Sequence, residues 1–192
     1  IRFTQGPIES DENGTPTKLS HKSYIFYVIK RGDRYALRVK NTLARKRYQL
    51  KEIPAFPVNY DLILNANVKN VSGTKSMAVE DITGHVEDYK IVAELIFKIG
   101  GKKYKLPAFD GGQDFYFVIF GDQTNGTESY GGGRYMYIPK ETQAEGKIII
   151  DFNKAFNPPC VFTDYATCPI PPKENILEVR IDAGEKYPVV YR

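Results

Sequence analysis

From Tyr24 onward the chain alternates apolar with polar side chains in short runs, the period that gives a strand one face on a core and one in water. YIFYVI (24–29) and RYALRVK (34–40) flank Gly32-Asp33, a two-residue connection of the kind that closes a tight hairpin. Gly100-Gly101 repeats the device between KIVAELIFKI and KKYKLPAF. YDLILNANVKNV, DFYFVIF, GRYMYI, GKIIIDF and ILEVRI complete the set of expected strands. LKEIPAFP is broken by prolines, so no long helix runs through it, and NTLARKRYQL is the one modest helical candidate. Many short strands separated by turn residues predict an all-β, antiparallel barrel or sandwich. The segment after Ala155 differs in kind. Pro158, Pro159, Pro169, Pro171 and Pro172 describe a long, stiff, proline-rich C-terminal loop that returns to a last strand at Ile176.

At 192 residues the chain is long enough for a self-sufficient core, and one β-rich domain over 1–192 is expected, with 1–23 as a polar, turn-rich N-terminal arm. Hydrophobic residues at 42% and charged residues at 26% are globular values and exclude a disordered or fibrous chain. Tyr and Phe, 14 and 11 with no Trp, add to the strand preference. A net charge of +4 is carried by scattered cations, apart from Arg45-Lys46-Arg47 and Lys102-Lys103, so no nucleic-acid footprint is expected. No apolar run approaches the roughly 18 residues of a membrane span. The sequence starts at Ile1 without Met, and a removed signal peptide or lipoprotein segment is one explanation. A secreted, periplasmic or cell-envelope location is therefore expected, with the cytoplasm as the alternative.

Candidate chemistry gathers between Gly121 and Lys186. In GDQTNGTESYGGGR the glycines permit positive φ and close backbone approach, while Asp122, Thr124, Glu128, Tyr130 and Arg134 supply polar groups. Such a loop could bind an anion through amides and Arg134; equally, it could be a long hairpin in which Arg134 pairs with Glu128 or Asp122. It lacks the Gly-Lys-Ser/Thr of a phosphate loop, and Gly126 falls one place early for an EF-hand. Asp151 and Asn153, two apart on an expected strand, face the same way; with Asn157, Glu174 and Asn175 they either line a pocket or satisfy the backbone of the proline-rich loop. Cys160 and Cys168 are disulfide candidates, worth roughly 2.5 kcal/mol for so short a loop if unstrained, with buried free thiols as the alternative. With His21 and His85 remote in sequence, no metal set is expected and neither cysteine has a nearby base. Arg31-Gly32-Asp33 is read as a turn, and the sequons at Asn13, Asn70 and Asn125 carry weight only in a glycosylating pathway.

These same motifs resemble a bacterial and archaeal family catalogued as domain of unknown function 1684. The shared features are D-x-T-x-G-x-E-x-Y-G-x-G-R (122–134), DFNKAFNPPCVF (151–162) and ATCPIPPKEN (166–175), together with VIKRGDRYALRVKN (28–41) and Phe56-Pro57. The resemblance covers most of the chain after about residue 24. Asn125, Ser129, Lys154 and Phe156 depart from the family pattern while keeping polarity or ring shape. It implies no activity, cofactor or substrate. Three functions follow from the residues. The first is a noncatalytic binding module for a small polar or anionic ligand held by Asp122, Thr124, Glu128, Tyr130, Arg134, Asn153, Asn157, Glu174 and Asn175, with Tyr130, Tyr135 and Tyr165 available to stack on a flat group. The second is a hydrolase-like enzyme using Glu128 or Glu174 with Arg134. The third is a domain whose signature maintains only its own fold.

Overall fold

The computed structural model describes residues 6–140 and 146–188; the first five residues of the polar arm lie outside that range. Backbone proximity separates two compact units, Ile1–Lys51 and Glu52–Arg192.

The first unit is a three-stranded antiparallel sheet of β1 (Leu19–His21), β2 (Tyr24–Arg31) and β3 (Arg34–Asn41). Arg31 pairs with Arg34 across the expected turn, and positive φ is confined to Gly32 at 56°, the pattern of a II′ connection. The arm contributes more than surface wrapping. It supplies β1 and a 3-10 turn, Asp11–Asn13, whose Asp11 accepts the Lys30 N–H at 3.0 Å and pairs with Arg31 at 3.0 Å. The helical candidate yields one short helix, α1 (Arg45–Gln49). None of the described residues in this unit is buried.

The second unit carries β4 (Ile63–Asn70), β5 (Ser76–Glu80), β6 (Val86–Ile99), β7 (Lys102–Asp110), β8 (Phe115–Phe120), β9 (Arg134–Pro139) and β10 (Lys147–Asp151). They form one antiparallel sheet in the order β10-β4-β6-β7-β8-β9, with β5 against the first half of β6. Edges β9 and β10 come back into contact, so the sheet is a nearly closed barrel. Gly100 and Gly101 both take positive φ, 55° and 82°, the conformation of a type I′ turn, which glycine adopts without strain.

Strand β8 shows why DFYFVIF reads as a nearly continuous apolar run: both of its faces are covered. Tyr116, Val118 and Phe120 enter the barrel core with Leu95, Leu106, Met136, Ile148, Ile150 and Phe152. Ile119 belongs to a second cluster with Val79, Ile91, Phe109, Tyr135, Ala166 and Cys168 on the outer face, and Phe117 packs against it. The proline-rich segment is the cover of that outer face. Phe156 bridges to Tyr135 of β9 and Pro169 to Asp81 just beyond β5, while the Ile82 N–H donates to the Cys168 carbonyl at 3.0 Å.

Two elements differ from expectation. ILEVRI is not a ladder strand: Asn175 to Val179 runs beside loop residues 121–123 through three backbone hydrogen bonds and a single parallel bridge, Gly121 to Ile176. Its neighbour is itself a loop, so there is no row of amides to extend along; the alternation is nevertheless real, since Leu177 and Ile181 are buried. Strand β5 was not among the expected strands; five residues long, it buries only Val79.

Candidate functional site

The 121–134 loop is built from its own short polar side chains. Asn125 Oδ1 accepts the Asp122 N–H at 2.6 Å, and its Nδ2 donates to Ser129 Oγ at 2.8 Å and the Tyr130 carbonyl at 3.0 Å. Thr124 and Ser129 hydroxyls share a buried 2.7 Å hydrogen bond, and the Thr124 carbonyl accepts from Thr127 Oγ1 at 2.9 Å. Asp122 Oδ1 accepts the Thr124 N–H at 2.8 Å and the Ile181 N–H at 3.3 Å. Gly133 then permits entry to β9: its φ is 81°, and a Cβ there would meet Pro171 Cγ at 2.3 Å and the Phe120 carbonyl at 2.6 Å.

Arg134 does not face a cleft. Its side chain is 0% exposed, with Nη2 at 2.8 Å from Asp122 Oδ2. Nη2 also donates to the Ile181 carbonyl at 2.9 Å, while Nη1 donates to the carbonyls of Ala183 and, at 3.3 Å, Glu185. The rings of Phe120 and Phe56 lie 5.4 and 5.7 Å from the guanidinium carbon. Of the two partners the sequence offered, the buried Asp122 is the one used, because the carbonyl-rich turn at 181–185 needs a donor fork and the fork needs one countercharge. Glu128, the other partner open to Arg134, is part-exposed and pairs instead with Arg180, which also binds Asp182 at 2.7 Å.

The remaining polar residues disperse. Asp151 ends β10 and Asn153 lies in the 3-10 turn Phe152–Lys154, so they meet not as same-face strand neighbours but through capping, with Asp151 Oδ1 accepting the Asn153 N–H at 3.0 Å and its Nδ2 at 2.9 Å. Asn153 also clamps Asn59 from both sides, accepting its N–H at 2.8 Å and donating to its carbonyl at 2.9 Å. Asn157 Nδ2 holds the Lys186 carbonyl at 2.9 Å, and the Asn157 N–H donates to Glu185 Oε2 at 2.7 Å. Asn175, fully buried, donates to the carbonyls of Ile119 at 2.8 Å and Pro107 at 3.1 Å. Glu174 lies exposed on a short 3-10 turn, Lys173–Asn175.

Cys160 and Cys168 are free thiols brought together. The Cys160 N–H lies 3.1 Å from Cys168 Sγ, and Cys160 Sγ lies 3.7 Å from the Tyr130 hydroxyl. The Cys168 thiol, the Tyr130 hydroxyl and nearby backbone N–H groups hold the Cys160 thiol down to about 7 against the opposing effect of burial. The Cys160 sulfur and burial push Cys168 up. Burial and the Cys160 contact push Tyr130 up to about 12. Tyr130 stacks on Tyr187 at 5.6 Å. Tyr135 is buried, donating to the Pro169 carbonyl at 2.7 Å, whereas Tyr165 is 89% exposed. Among the described residues, no group of three or more His, Cys, Asp or Glu side chains is arranged to hold a metal.

One surface feature was missed by the sequence reading. Phe56, Val58, Asn59, Tyr60, Asp61 and Asp182 line an open depression of about 490 Å³. The available signal was Asn59-Tyr60-Asp61 after Phe56-Pro57, an asparagine poised to cap a turn; its Oδ1 accepts the Asp61 N–H at 3.0 Å.

Fold and site together define an antiparallel β-barrel unit fastened by a buried arginine–aspartate centre, with a thiol pair beneath its proline-rich cover. The chain belongs to the family described as Protein of unknown function (DUF1684), whose model matches residues 48–186, nearly the extent of the second unit. It is also similar to the uncharacterized protein from gene locus rrnAC0354 of Haloarcula marismortui, solved by solution NMR. The two share 33% identity over 73% of this chain and 78% of that one, with a TM-score of 0.59. No curated protein matches the chain.

Proposed function

We propose that the barrel unit is a noncatalytic binding module and that its ligand occupies the depression at Phe56–Asp61 and Asp182. The observation that carries this reading is a rigid floor beneath an exposed ring. Asn153 clamps Asn59, the Phe56 N–H donates to the Gly184 carbonyl at 2.9 Å, and the Lys186 N–H donates to the Pro54 carbonyl at 2.7 Å, while Tyr60 stands 78% exposed at the rim. Preorganised backbone with an unburied aromatic suits a ligand that stacks without ordering cost. Asp61 and Asp182 bring acceptors to the lining, so the fitting ligand is a neutral, hydroxyl-bearing ring such as a sugar. An anion would meet the carboxylates of Asp61 and Asp182 in this lining, and Arg134, the cation expected to hold one, is buried against Asp122. The hydrolase alternative loses support on the same geometry: Glu128 is engaged by Arg180 and Arg134 has no exposed atom. A secreted or cell-envelope location belongs to this reading, since two thiols in contact are placed to be joined in an oxidising compartment.

Amide chemical shifts followed during titration with neutral mono- and oligosaccharides test the proposal. Perturbations should cluster at residues 56–61 and 182 and disappear in Tyr60→Ala, whose exposed side chain leaves the melting temperature unchanged. Shifts clustered at Glu128 and Glu174, or none with any sugar, would overturn it.

A further inference from the structure

Asp122, Thr124, Asn125, Ser129 and Arg134 of loop 121–134 hold the fold, whereas the thiol pair makes polar contacts that core packing alone does not call for. A buried cysteine in a core normally packs as a small apolar group with no polar neighbour. Here the second thiol, a phenol and a backbone N–H converge instead. The two sulfurs are also unequal. Cys168 lies in the outer-face cluster with Val79, Ile91, Phe109 and Ile119, and its carbonyl is fixed by Ile82. Cys160 is part-exposed on the 3-10 turn Pro159–Val161, closed by the Val161 N–H to the Pro158 carbonyl at 3.0 Å and the Phe162 N–H to the Pro159 carbonyl at 3.0 Å. Cys160 is therefore the more accessible of the two, and Cys168 the buried one.

We infer that Cys160 and Cys168 form a thiol–disulfide exchange centre, with Cys160 as the attacking thiolate, Cys168 as the resolving thiol, and a low-molecular-weight disulfide as the co-reactant. In the first step the Cys160 thiolate attacks one sulfur of R–S–S–R. That bond breaks, RS⁻ leaves and takes a proton from water, and a mixed disulfide remains on Cys160. In the second step the Cys168 sulfur attacks the Cys160 sulfur, and its proton passes to the departing RS⁻. The mixed disulfide breaks, the second RSH leaves, and the Cys160–Cys168 bond forms. The protein dithiol is oxidised by two electrons and the disulfide is reduced to two RSH.

Each contact has a place in that sequence. The Tyr130 hydroxyl, 3.7 Å from Cys160 Sγ, stabilises the attacking anion without competing for its proton, since burial keeps the phenol protonated. The Cys160 N–H, 3.1 Å from Cys168 Sγ, is aimed at the sulfur that attacks in the second step. The half-buried thiol that ionises near neutrality is the more accessible one, the order that exchange requires. The centre is independent of the proposed ligand depression, so either can fail alone.

Oxidised glutathione and intact-mass spectrometry test the inference on the full chain. Wild type should lose two thiols and two hydrogens with at most a transient glutathione adduct, and reduced glutathione in excess should reverse it. Cys168→Ser should halt as a stable adduct on Cys160, whereas Cys160→Ser should react at least about tenfold more slowly, its remaining thiol being buried. A second measurement needs no variant of the pair: alkylation of wild-type Cys160 should show a midpoint near 7, with Cys168, Tyr130 and Tyr135 as the titratable groups facing it. Tyr130→Phe should move that midpoint upward. A wild type that keeps a stable adduct, one that retains both thiols, or alkylation of Cys168 ahead of Cys160 would each overturn the assignment.

Discussion

Arg134 and Arg180 make the same pairing in two regions of the barrel unit and teach opposite lessons. Arg134 meets Asp122 where both side chains are 0% exposed, and its two Nη groups also hold the carbonyls of Ile181, Ala183 and Glu185, while its buried Nε–H has no partner. Arg180 meets Glu128 and Asp182 where the side chains are 39–47% exposed. Water solvates the second trio whether or not it is formed, so the gain over solvent is slight. It cannot reach the first, where removing Arg134 leaves the buried Asp122 charge unpaired and three carbonyls without that donor. Chemistry that looks identical in a list of ion pairs is structural at one site and nearly neutral at the other.

The sharpest way to break this comparison is to truncate both arginines. Arg134→Ala should cost roughly 3–5 kcal/mol, measured by urea unfolding, and Arg180→Ala less than about 1 kcal/mol. Equal losses would show that burial does not separate the two pairs. Arg134→Lys sharpens the point: the charge survives but a single ammonium cannot reach Asp122 and three carbonyls in the plane of a guanidinium, so it should recover only part of the loss.

Next in size is Gly133→Ala, on the chain just before Arg134. The added Cβ meets Pro171 and the Phe120 backbone well inside contact distance at φ 81°, and a loss of roughly 2 kcal/mol or more is expected in the same assay. Asn175→Ala tests whether the buried polar network extends to the far side of the loop. It removes the donors to the carbonyls of Pro107 and Ile119, for a loss of about 1–3 kcal/mol. Smallest is Glu128→Gln, which touches only the exposed trio and should shift stability by less than about 1 kcal/mol and less still at high salt. A larger effect would move Glu128 from the surface group into the structural one.

Much of the architecture was legible. The hairpins at Gly32-Asp33 and Gly100-Gly101 follow from residues that tolerate positive φ beside alternating runs, and both form in register. Legibility failed where a pairing partner was a loop. The segment 176–181 alternates like a strand and buries Leu177 and Ile181, but the chain beside it, 121–123, offers three hydrogen bonds and no ladder. At the candidate site the residues were found and their roles were not. Asp122, Arg134, Asn157 and Asn175 are polar groups at glycine- and proline-rich positions, and from sequence a buried structural network and a ligand site have the same composition. The depression at Phe56–Asp61 escaped because its floor is held from far along the chain, by Asn153, 94 positions after Asn59, and by the backbone of Gly184 and Lys186.

By itself the sequence determined the class of fold, the hairpin turns, the stiffness of the proline-rich cover and the family, because these depend on local periodicity, on backbone freedom at glycine and proline, and on short contiguous motifs. Tertiary structure decided which of two carboxylates Arg134 would take, that Cys160 and Cys168 differ in exposure and proton affinity, and where an open surface remains. Those outcomes depend on burial and on distances between residues far apart in the chain. Solvent exclusion acts on the folded arrangement, and no window of sequence contains it.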